Sequence, residues 1–274
     1  MSDPDIVIHP AAVVHSGARL NSGVHIGPYC VVGPDVELGR NVKLEAHVSI
    51  SGHTRIGDDC RFAPFTSIGT APQDVGYKDE PTRVEIGAGN VFKEFITVHK
   101  ATAKGGGVTR IGDRNYFMAY SHIAHDCLIG NETIFTNAAT LGGHVEVGDY
   151  AVMGAFSGVH QFCRIGRYAF IGGFTVLTQD VPPFIRVAGM RPTHIYGLNA
   201  VGLRRRGFSK ERVGALSDMI KILFHSDLNT TQAADRIAKD FPPGEDRDEL
   251  LAFLGSSKRG IIKKAGGRWD PESE

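Results

Sequence analysis

The chain has 274 residues, of which 42% are hydrophobic, and its 30 basic and 30 acidic residues cancel to a net charge of zero. This length is sufficient for a buried core, and the charge balance argues against a nucleic-acid partner. No segment approaches the roughly 18 consecutive apolar residues of a membrane span, and no basic start precedes an apolar run. We therefore expect a soluble cytoplasmic protein without stable membrane insertion.

An aliphatic or aromatic residue recurs at every sixth position from Ile8 to Leu177, with two interruptions. Glycine commonly follows this residue, which suggests corners with positive φ, and a small residue usually precedes it by two positions. A period of six fits neither a helix nor an alternating strand. It is typical of a parallel β-helix, in which three hexads form the sides of one coil. The four cysteines occupy the small position and are predicted to be core fillers: Cys30, Cys60, Cys127 and Cys163.

Two insertions interrupt the repeat, one between Ile68 and Ile86 and the other between Val98 and Ile111. Both are rich in residues that favour irregular structure, such as proline, glycine and charged residues. We expect two loops that protrude from the prism. A binding role and a tolerated surface insertion fit each loop equally well.

The six-residue period ends at the corner of residues 181–183, where two prolines cannot continue a strand ladder. Apolar residues at helical spacing follow, in the segments 213–224, 234–241 and 250–254. The predicted organisation is an all-β prism over residues 1–190 and a small α-helical domain over residues 191–274. The polar tail from about Ala265 is expected to be frayed.

Eighteen residues make one coil, so residues eighteen positions apart stack about 4.8 Å apart. His125 therefore lies beside the backbone of Gly143 in the next coil. An imidazole beside a glycine N–H supplies a general base and an oxyanion donor, the minimum equipment for acyl transfer. Structural hydrogen bonding is the competing interpretation for the other histidines in this part of the repeat, which are His99, His122, His144 and His160.

Several strings resemble the UDP-N-acetylglucosamine O-acyltransferase family of lipid A biosynthesis: SHIAHDC, NAATLGGHV, GVHQF, QDVPP and RRRGFS. The similarity begins near HIGPYCVVGP and covers most of the prism. It implies a left-handed parallel β-helix and a homotrimer with active sites between subunits. It also implies transfer of an R-3-hydroxyacyl chain from acyl carrier protein to the 3-hydroxyl of UDP-N-acetylglucosamine. No metal or cofactor is implied, because the phosphopantetheine of acyl carrier protein belongs to the donor substrate.

The resemblance also implies roles for individual residues. His125 would be the general base, Asp126 its partner, and the Gly143 N–H the oxyanion donor. Substrate-binding roles carry over to Asp74, His122, His144, Gln161, Gly173, Asn199, Arg205 and Arg206. Of these, Asp74 would contact the glucosamine, and Gly173 would leave the acyl groove open for a long chain.

The basic segment of residues 204–206 has two further interpretations. Its residues alone favour a solvated basic turn or a docking site for the acidic acyl carrier protein. The resemblance instead matches Arg205 and Arg206, together with Asn199, to nucleotide-binding positions. Paired guanidinium groups suit a diphosphate because their planar donors bind oxygen bidentately.

Three positions depart from the family pattern and leave acyl length and uridine recognition open. Gly76 stands where a lysine is common, and Lys78 is the nearest substitute. Val201 replaces an acidic residue near the nucleotide. Arg191 replaces a histidine at the end of the acyl groove.

Other activities remain possible from the sequence. A 3-amino sugar would give an amide rather than an ester. A metal-dependent lyase of the carbonic anhydrase type would use His122, His125 and His144 as zinc ligands. A non-catalytic repeat scaffold is a third possibility. A related N-acyltransferase family carries a domain before its repeats, whereas here the hexads begin at Ile8.

Overall fold

A computed structural model of the chain describes residues 5–190 and 192–262. Arg191 and the polar tail from Ala265, for which the sequence makes predictions, lie outside the described residues. Within the described ranges, the chain winds as a triangular prism of short parallel strands and ends in four helices.

The first face of the prism begins at the N-terminal end of the described chain. Its strands are β1 (Val7–Ile8), β4 (His25–Ile26), β7 (Lys43–Leu44), β10 (Arg61–Phe62), β13 (Val91–Phe92), β16 (Tyr116–Phe117), β19 (Ile134–Phe135), β22 (Val152–Met153), β25 (Phe170–Ile171), β27 (Ile185–Ala188) and β28 (His194–Leu198).

The second face carries the histidines of interest. Its strands are β2 (Val13–Val14), β5 (Val31–Val32), β8 (Ser49–Ile50), β11 (Ser67–Thr70), β14 (Thr97–His99), β17 (His122–Ile123), β20 (Thr140–Leu141), β23 (Gly158–Val159) and β26 (Val176–Leu177). The third face comprises β3 (Arg19–Leu20), β6 (Val36–Leu38), β9 (His53–Ile56), β12 (Arg83–Ile86), β15 (Val108–Ile111), β18 (Leu128–Ile129), β21 (Glu146–Val147) and β24 (Arg164–Ile165).

Apart from β28, the strands on each face pair in parallel, with Ile123 opposite Leu141 one eighteen-residue coil later. The large residue of each hexad points inward because the small residue beside it leaves room for it. Four phenylalanines, Phe62, Phe92, Phe117 and Phe135, are fully buried and stack along the prism axis. The predicted left-handed parallel β-helix with a helical C-terminal part is confirmed.

The two insertions form the first loop (residues 71–82, between β11 and β12) and the second loop (residues 100–107, between β14 and β15). The four cysteines are free and buried, as core fillers should be. Burial raises the pKa of the Cys60 thiol to about 11, so this thiol is not activated as a nucleophile.

Left-handed backbone conformations occur at nearly every corner, but mostly at residues other than glycine. Tyr29 and Asp59 both have φ of 60°. The glycine after the core residue has another purpose, since a Cβ on Gly27 would lie 2.5 Å from the carbonyl oxygen of Glu45 in the next coil. The expectation that glycine supplies the positive-φ corners is therefore wrong. Close approach of successive coils selects glycine there.

The strand ladder also continues past the two prolines, contrary to the sequence prediction. Val181 bridges Ile165, sixteen positions earlier, because Val181 lies four positions after Leu177 instead of six. Strand β27 then pairs in parallel with β25 at the same shortened register, and β28 returns antiparallel to β27. The predicted division after residue 190 falls between these two paired strands and stays a prediction.

The helices are α1 (Ala200–Arg205), α2 (Lys210–His225), α3 (Thr230–Asp240) and α4 (Glu245–Ser256). Side chains at the N-caps of α1, α2 and α3 accept hydrogen bonds from the first turn, as Ser209 does for α2 and Asn229 for α3, whereas α4 begins after Gly244. Their apolar faces bury residues such as Leu216, Ile237 and Leu250. Among the residues described, no helix combines the length and hydropathy needed to cross a bilayer.

Candidate active site

His125 and Asp126 form a hydrogen-bonded pair at the corner between the second and third faces. Asp126 has φ of 61°, a left-handed conformation, so the two neighbouring side chains converge instead of pointing apart as in a strand. Nδ1 of His125 lies 2.7 Å from Oδ2 of Asp126. The Asp126 side chain is fully buried and that of His125 is 14% exposed. His125 can therefore reach a substrate while its partner cannot.

The second loop holds the Asp126 carboxylate through Thr102. The N–H of Thr102 donates to both carboxylate oxygens at 3.1 Å, and its hydroxyl donates to Oδ2 at 2.8 Å. The repeat pattern did not predict a role for Thr102. The available signal was a threonine followed by glycine three positions later, which is typical of a capped turn. The loop is thus part of the site.

Gly143 lies directly against the His125 ring, as the eighteen-residue stacking predicts. A Cβ on Gly143 would lie 2.4 Å from Cε1 and 2.7 Å from Nε2 of His125. Only glycine therefore lets the imidazole pack on this peptide. Within the described part of the chain, the Gly143 N–H has no hydrogen-bond partner. It remains available to a ligand.

His144, the residue after Gly143, encloses the other side of the pair. Its ring stacks on Phe162 at 4.4 Å between centroids and meets His125 edge-on at 5.2 Å. Nε2 of His144 lies 3.7 Å from Oδ2 of Asp126. Burial lowers the pKa of His144, and the negative charges of Asp126 and Asp74 oppose this shift. The first loop thus carries one of the charges that act on His144.

His122 and His99 lie behind the pair on the second face. Nδ1 of His122 shares a 2.7 Å hydrogen bond with the hydroxyl of Thr97. Burial is the main cause that lowers the pKa of His122, and the nearby His125 is the second. Burial lowers the pKa of His99 to about 4. Both rings are therefore neutral at pH 7, and they add no positive charge that would oppose proton uptake by His125.

The remaining residues of the predicted sugar site lie on or near the same corner. Gln161 is exposed one coil after Gly143. Asp74 accepts a 2.8 Å hydrogen bond from the N–H of Gly76, which folds the first loop into a tight turn. Lys78 is exposed nearby, and its N–H donates to the carboxylate of Glu80 at 2.9 Å. Whether Lys78 replaces the missing lysine stays a prediction.

Gly173 lies at a different corner, between the first and second faces. It is exposed beside Phe174, whose ring stacks on that of Phe156 at 5.0 Å. A Cβ at Gly173 would have its nearest neighbour at 3.3 Å, the carbonyl oxygen of Ala155. The apolar rings and the missing side chain make this corner suitable for a hydrocarbon chain.

The predicted nucleotide-binding residues lie at the third corner, between the third and first faces. A guanidinium nitrogen of Arg206 binds Glu132 at 2.7 Å, and the group lies over the Tyr150 ring at 4.7 Å. Asn199 caps α1 by accepting from Gly202, and its amide donates to a prism carbonyl. Arg205 is exposed. Within one chain, none of these residues joins the His125 corner.

The described residues that could share a metal ion are His125, Asp126 and His144, whose ligand atoms lie within 4.8 Å of one another. The zinc-lyase alternative requires His122, which is outside this group and has its Nδ1 engaged by Thr97. Asp126 is already bound by Thr102 and His125. The geometry thus favours a proton-transfer pair over a three-histidine zinc site.

Known proteins resemble this chain in both sequence and structure. A family model described as UDP-N-acetylglucosamine O-acyltransferase, domain 2, matches residues 180–262. The acyl-(acyl-carrier-protein)–UDP-N-acetylglucosamine O-acyltransferase of Burkholderia orbicola is 44% identical over 212 residues, 76% of this chain and 80% of the relative. The enzyme of the same name from Thiobacillus denitrificans is 47% identical over 199 residues, 73% of this chain and 77% of the relative.

Solved structures extend the similarity to almost the whole chain. The Francisella novicida UDP-N-acetylglucosamine acyltransferase superposes with a TM-score of 0.91 at 37% identity, covering 97% of this chain and 95% of its own. The Campylobacter jejuni enzyme superposes with a TM-score of 0.89 at 40% identity, covering 94% and 100%. At these identities and coverages, the chain belongs to the UDP-N-acetylglucosamine O-acyltransferase family.

Proposed function

We propose that this protein transfers an R-3-hydroxyacyl chain from acyl carrier protein to the 3-hydroxyl of UDP-N-acetylglucosamine in the cytoplasm, the first step of lipid A biosynthesis. The names of its relatives supply the acyl donor and the acceptor. The observation that carries the chemistry is the His125–Asp126 pair packed against Gly143.

His125 acts as the general base. The Asp126 carboxylate accepts a hydrogen bond from the Nδ1–H of His125, which leaves the lone pair on Nε2 free to take the proton of the attacking hydroxyl. The sugar oxygen forms a bond to the thioester carbonyl carbon, and the carbon–sulfur bond then breaks. The imidazolium returns its proton to the leaving thiolate. Asp126 stabilises the imidazolium during this exchange. No cofactor or covalent enzyme intermediate takes part.

The Gly143 N–H is suited to hold the oxyanion that forms on the thioester carbonyl. It lies beside the imidazole and has no internal partner among the described residues. A donor fixed by the backbone loses no freedom when the charge develops. The neutral His122 and His144 rings, with Asp74 and Gln161, would bind the sugar and the start of the acyl chain.

The positions of the other predicted site residues support a homotrimer with active sites between subunits. Gly173 and the group of Asn199, Arg205 and Arg206 occupy two corners of the prism, and His125 occupies the third. A neighbouring prism could bring its own nucleotide-binding corner to the His125 corner of the first. Such an assembly would explain why the predicted site residues of one chain lie at three different corners.

A transfer assay with two acceptors tests the proposed function. UDP-N-acetylglucosamine and its 3-amino analogue are each offered with acyl carrier proteins that bear R-3-hydroxyacyl chains of different lengths. We expect an ester with UDP-N-acetylglucosamine as the preferred product. Preference for the amino analogue would establish the amide-forming alternative, and no transfer to either acceptor would contradict the proposal.

Gly173→Met should shift the donor preference toward shorter acyl chains. The substitution fills an exposed corner where glycine leaves open space, and the nearest atom to the new Cβ lies at 3.3 Å, so the fold should tolerate it. The measurement is the relative kcat/KM for donors of increasing length. Thermal stability near that of the parent serves as the control. Superimposable length profiles for the two proteins would show that Gly173 does not limit the acyl groove.

A further inference from the structure

Among the described residues, the hydrogen bonds from the second loop to the His125–Asp126 pair all run from Thr102 to Asp126. Thr102 is 5% exposed, and its hydroxyl oxygen accepts a 3.2 Å hydrogen bond from the N–H of Gly105. Its carbonyl accepts the N–H groups of Gly105 and Gly107. The loop therefore fixes Thr102 on one side, and Thr102 fixes Asp126 on the other.

Asp126 depends on few donors. Its side chain is fully buried, and an ionised carboxylate away from water requires hydrogen bonds to its oxygens. The described donors to these oxygens are the Thr102 N–H, the Thr102 hydroxyl and Nδ1 of His125. Thr102 thus supplies every described hydrogen bond to the carboxylate except the one from the base itself.

A second contact from the same loop limits movement of the carboxylate. A Cβ on Gly105 would lie 2.1 Å from Oδ1 of Asp126. The loop backbone therefore lies directly on the carboxylate and leaves no room for rotation in that direction. The backbone N–H of Asp126 donates to the Thr109 hydroxyl at 2.8 Å, which anchors the corner on the far side of the loop.

We propose that Thr102 is a positioning residue of acyl transfer, which orients Asp126 so that His125 keeps its proton on Nδ1 and presents Nε2 to the substrate. No described hydrogen bond joins Thr102 to His125, and the two residues share Oδ2 of Asp126 as a partner. Thr102 acts through the carboxylate alone. The inference rests on the proposed function, and it adds the second loop to the machinery that the family resemblance implies.

The test compares Thr102→Val, which keeps the shape and the N–H but loses the hydroxyl, with Thr102→Ser, which keeps both donors. Thr66→Val is the matched control. Thr66 is 1% exposed and its hydroxyl binds two backbone carbonyls, so its replacement removes a buried hydroxyl remote from the pair.

We expect Thr102→Val to lower kcat by about tenfold to a hundredfold. A positioned base contributes roughly 10² to 10⁴ to the rate, and a poorly oriented base should lose part of that contribution. KM should change little, because Thr102 makes no substrate contact. Thr102→Ser should restore most of kcat, and Thr66→Val should keep the parent kcat even if it melts earlier. Parent-like kcat in Thr102→Val, or equal loss in the valine and serine variants, would overturn the proposal.

Proton NMR provides a readout that needs no substrate. The Nδ1 proton of His125, in a short hydrogen bond to a buried carboxylate, should give a downfield signal that is identified by its loss in His125→Ala. We expect Thr102→Val to shift or broaden it, and Thr102→Ser and Thr66→Val to preserve it. An unchanged signal in Thr102→Val would overturn the proposal. Absence of acyl transfer by the parent would refute the proposed function, while the NMR comparison would still decide the role of Thr102.

Discussion

His125→Ala should lower kcat by roughly 10² to 10⁴, the usual contribution of a positioned general base. The substitution removes the one imidazole that combines a buried carboxylate on Nδ1 with a partly exposed ring beside the Gly143 peptide. Without it, the sugar hydroxyl must lose its proton to water, and the thiolate must leave without a proton donor. The measurement is kcat with saturating acyl carrier protein donor and UDP-N-acetylglucosamine.

His53→Ala is a suitable control for this substitution. His53 lies on the third face in β9, with its side chain 49% exposed and its nearest acidic partner, Asp35, at 3.9 Å. We expect parent-like activity, since the strand pairings place His53 three coils before Asp126 along the prism. Full activity in His125→Ala would place the base elsewhere or favour the non-catalytic scaffold.

Gly143→Ala is expected to lower kcat by about 10² to 10³, the range seen when one oxyanion donor is lost. The new Cβ would lie 2.4 Å from Cε1 of His125, a separation that real Cβ contacts do not show. Either the ring or the peptide must move, so the base and the N–H lose their common geometry. Gly214→Ala is the control, because its Cβ would meet no atom within 4 Å.

A double-mutant comparison separates this clash from general damage to the prism. If the methyl group strains the protein through the His125 ring, Gly143→Ala should lower the melting temperature in the parent. In a His125→Ala background the ring is gone, and the same substitution should have little effect. An equal loss of stability in both backgrounds would mean that the alanine collides with the coil itself, and the ring contact would not explain the activity loss.

The regular part of the fold follows from the sequence because every coil has the same length. With eighteen residues per coil, the position of His125 determines that Gly143 lies beside it, and the structure confirms this contact. The column of large residues that point into the prism follows from the same period. Ile123 and Leu141 belong to it and are fully buried. The two insertions are visible for the same reason, since any residue that breaks the period must leave the prism.

The irregular parts of the fold depend on contacts that the six-residue period does not encode. The continuation of the ladder through β27 could not be predicted from the six-residue period, because Val181 lies four positions after Leu177 instead of six. The pairing of His125 with Asp126 requires a left-handed corner at a residue that is not glycine. The stacked coils hold that conformation in place, although it is unfavourable for an isolated aspartate.

The sequence by itself determined the prism, its two loops and the stacking of a base on a glycine, since these depend only on a constant number of residues per coil. Only the tertiary structure decided which groups serve that base. Thr102 reaches Asp126 from the second loop, 24 positions earlier in the chain, and Arg206 lies at another corner against Glu132. Both placements result from packing between segments distant in the chain, where local spacing carries no information about which surfaces meet.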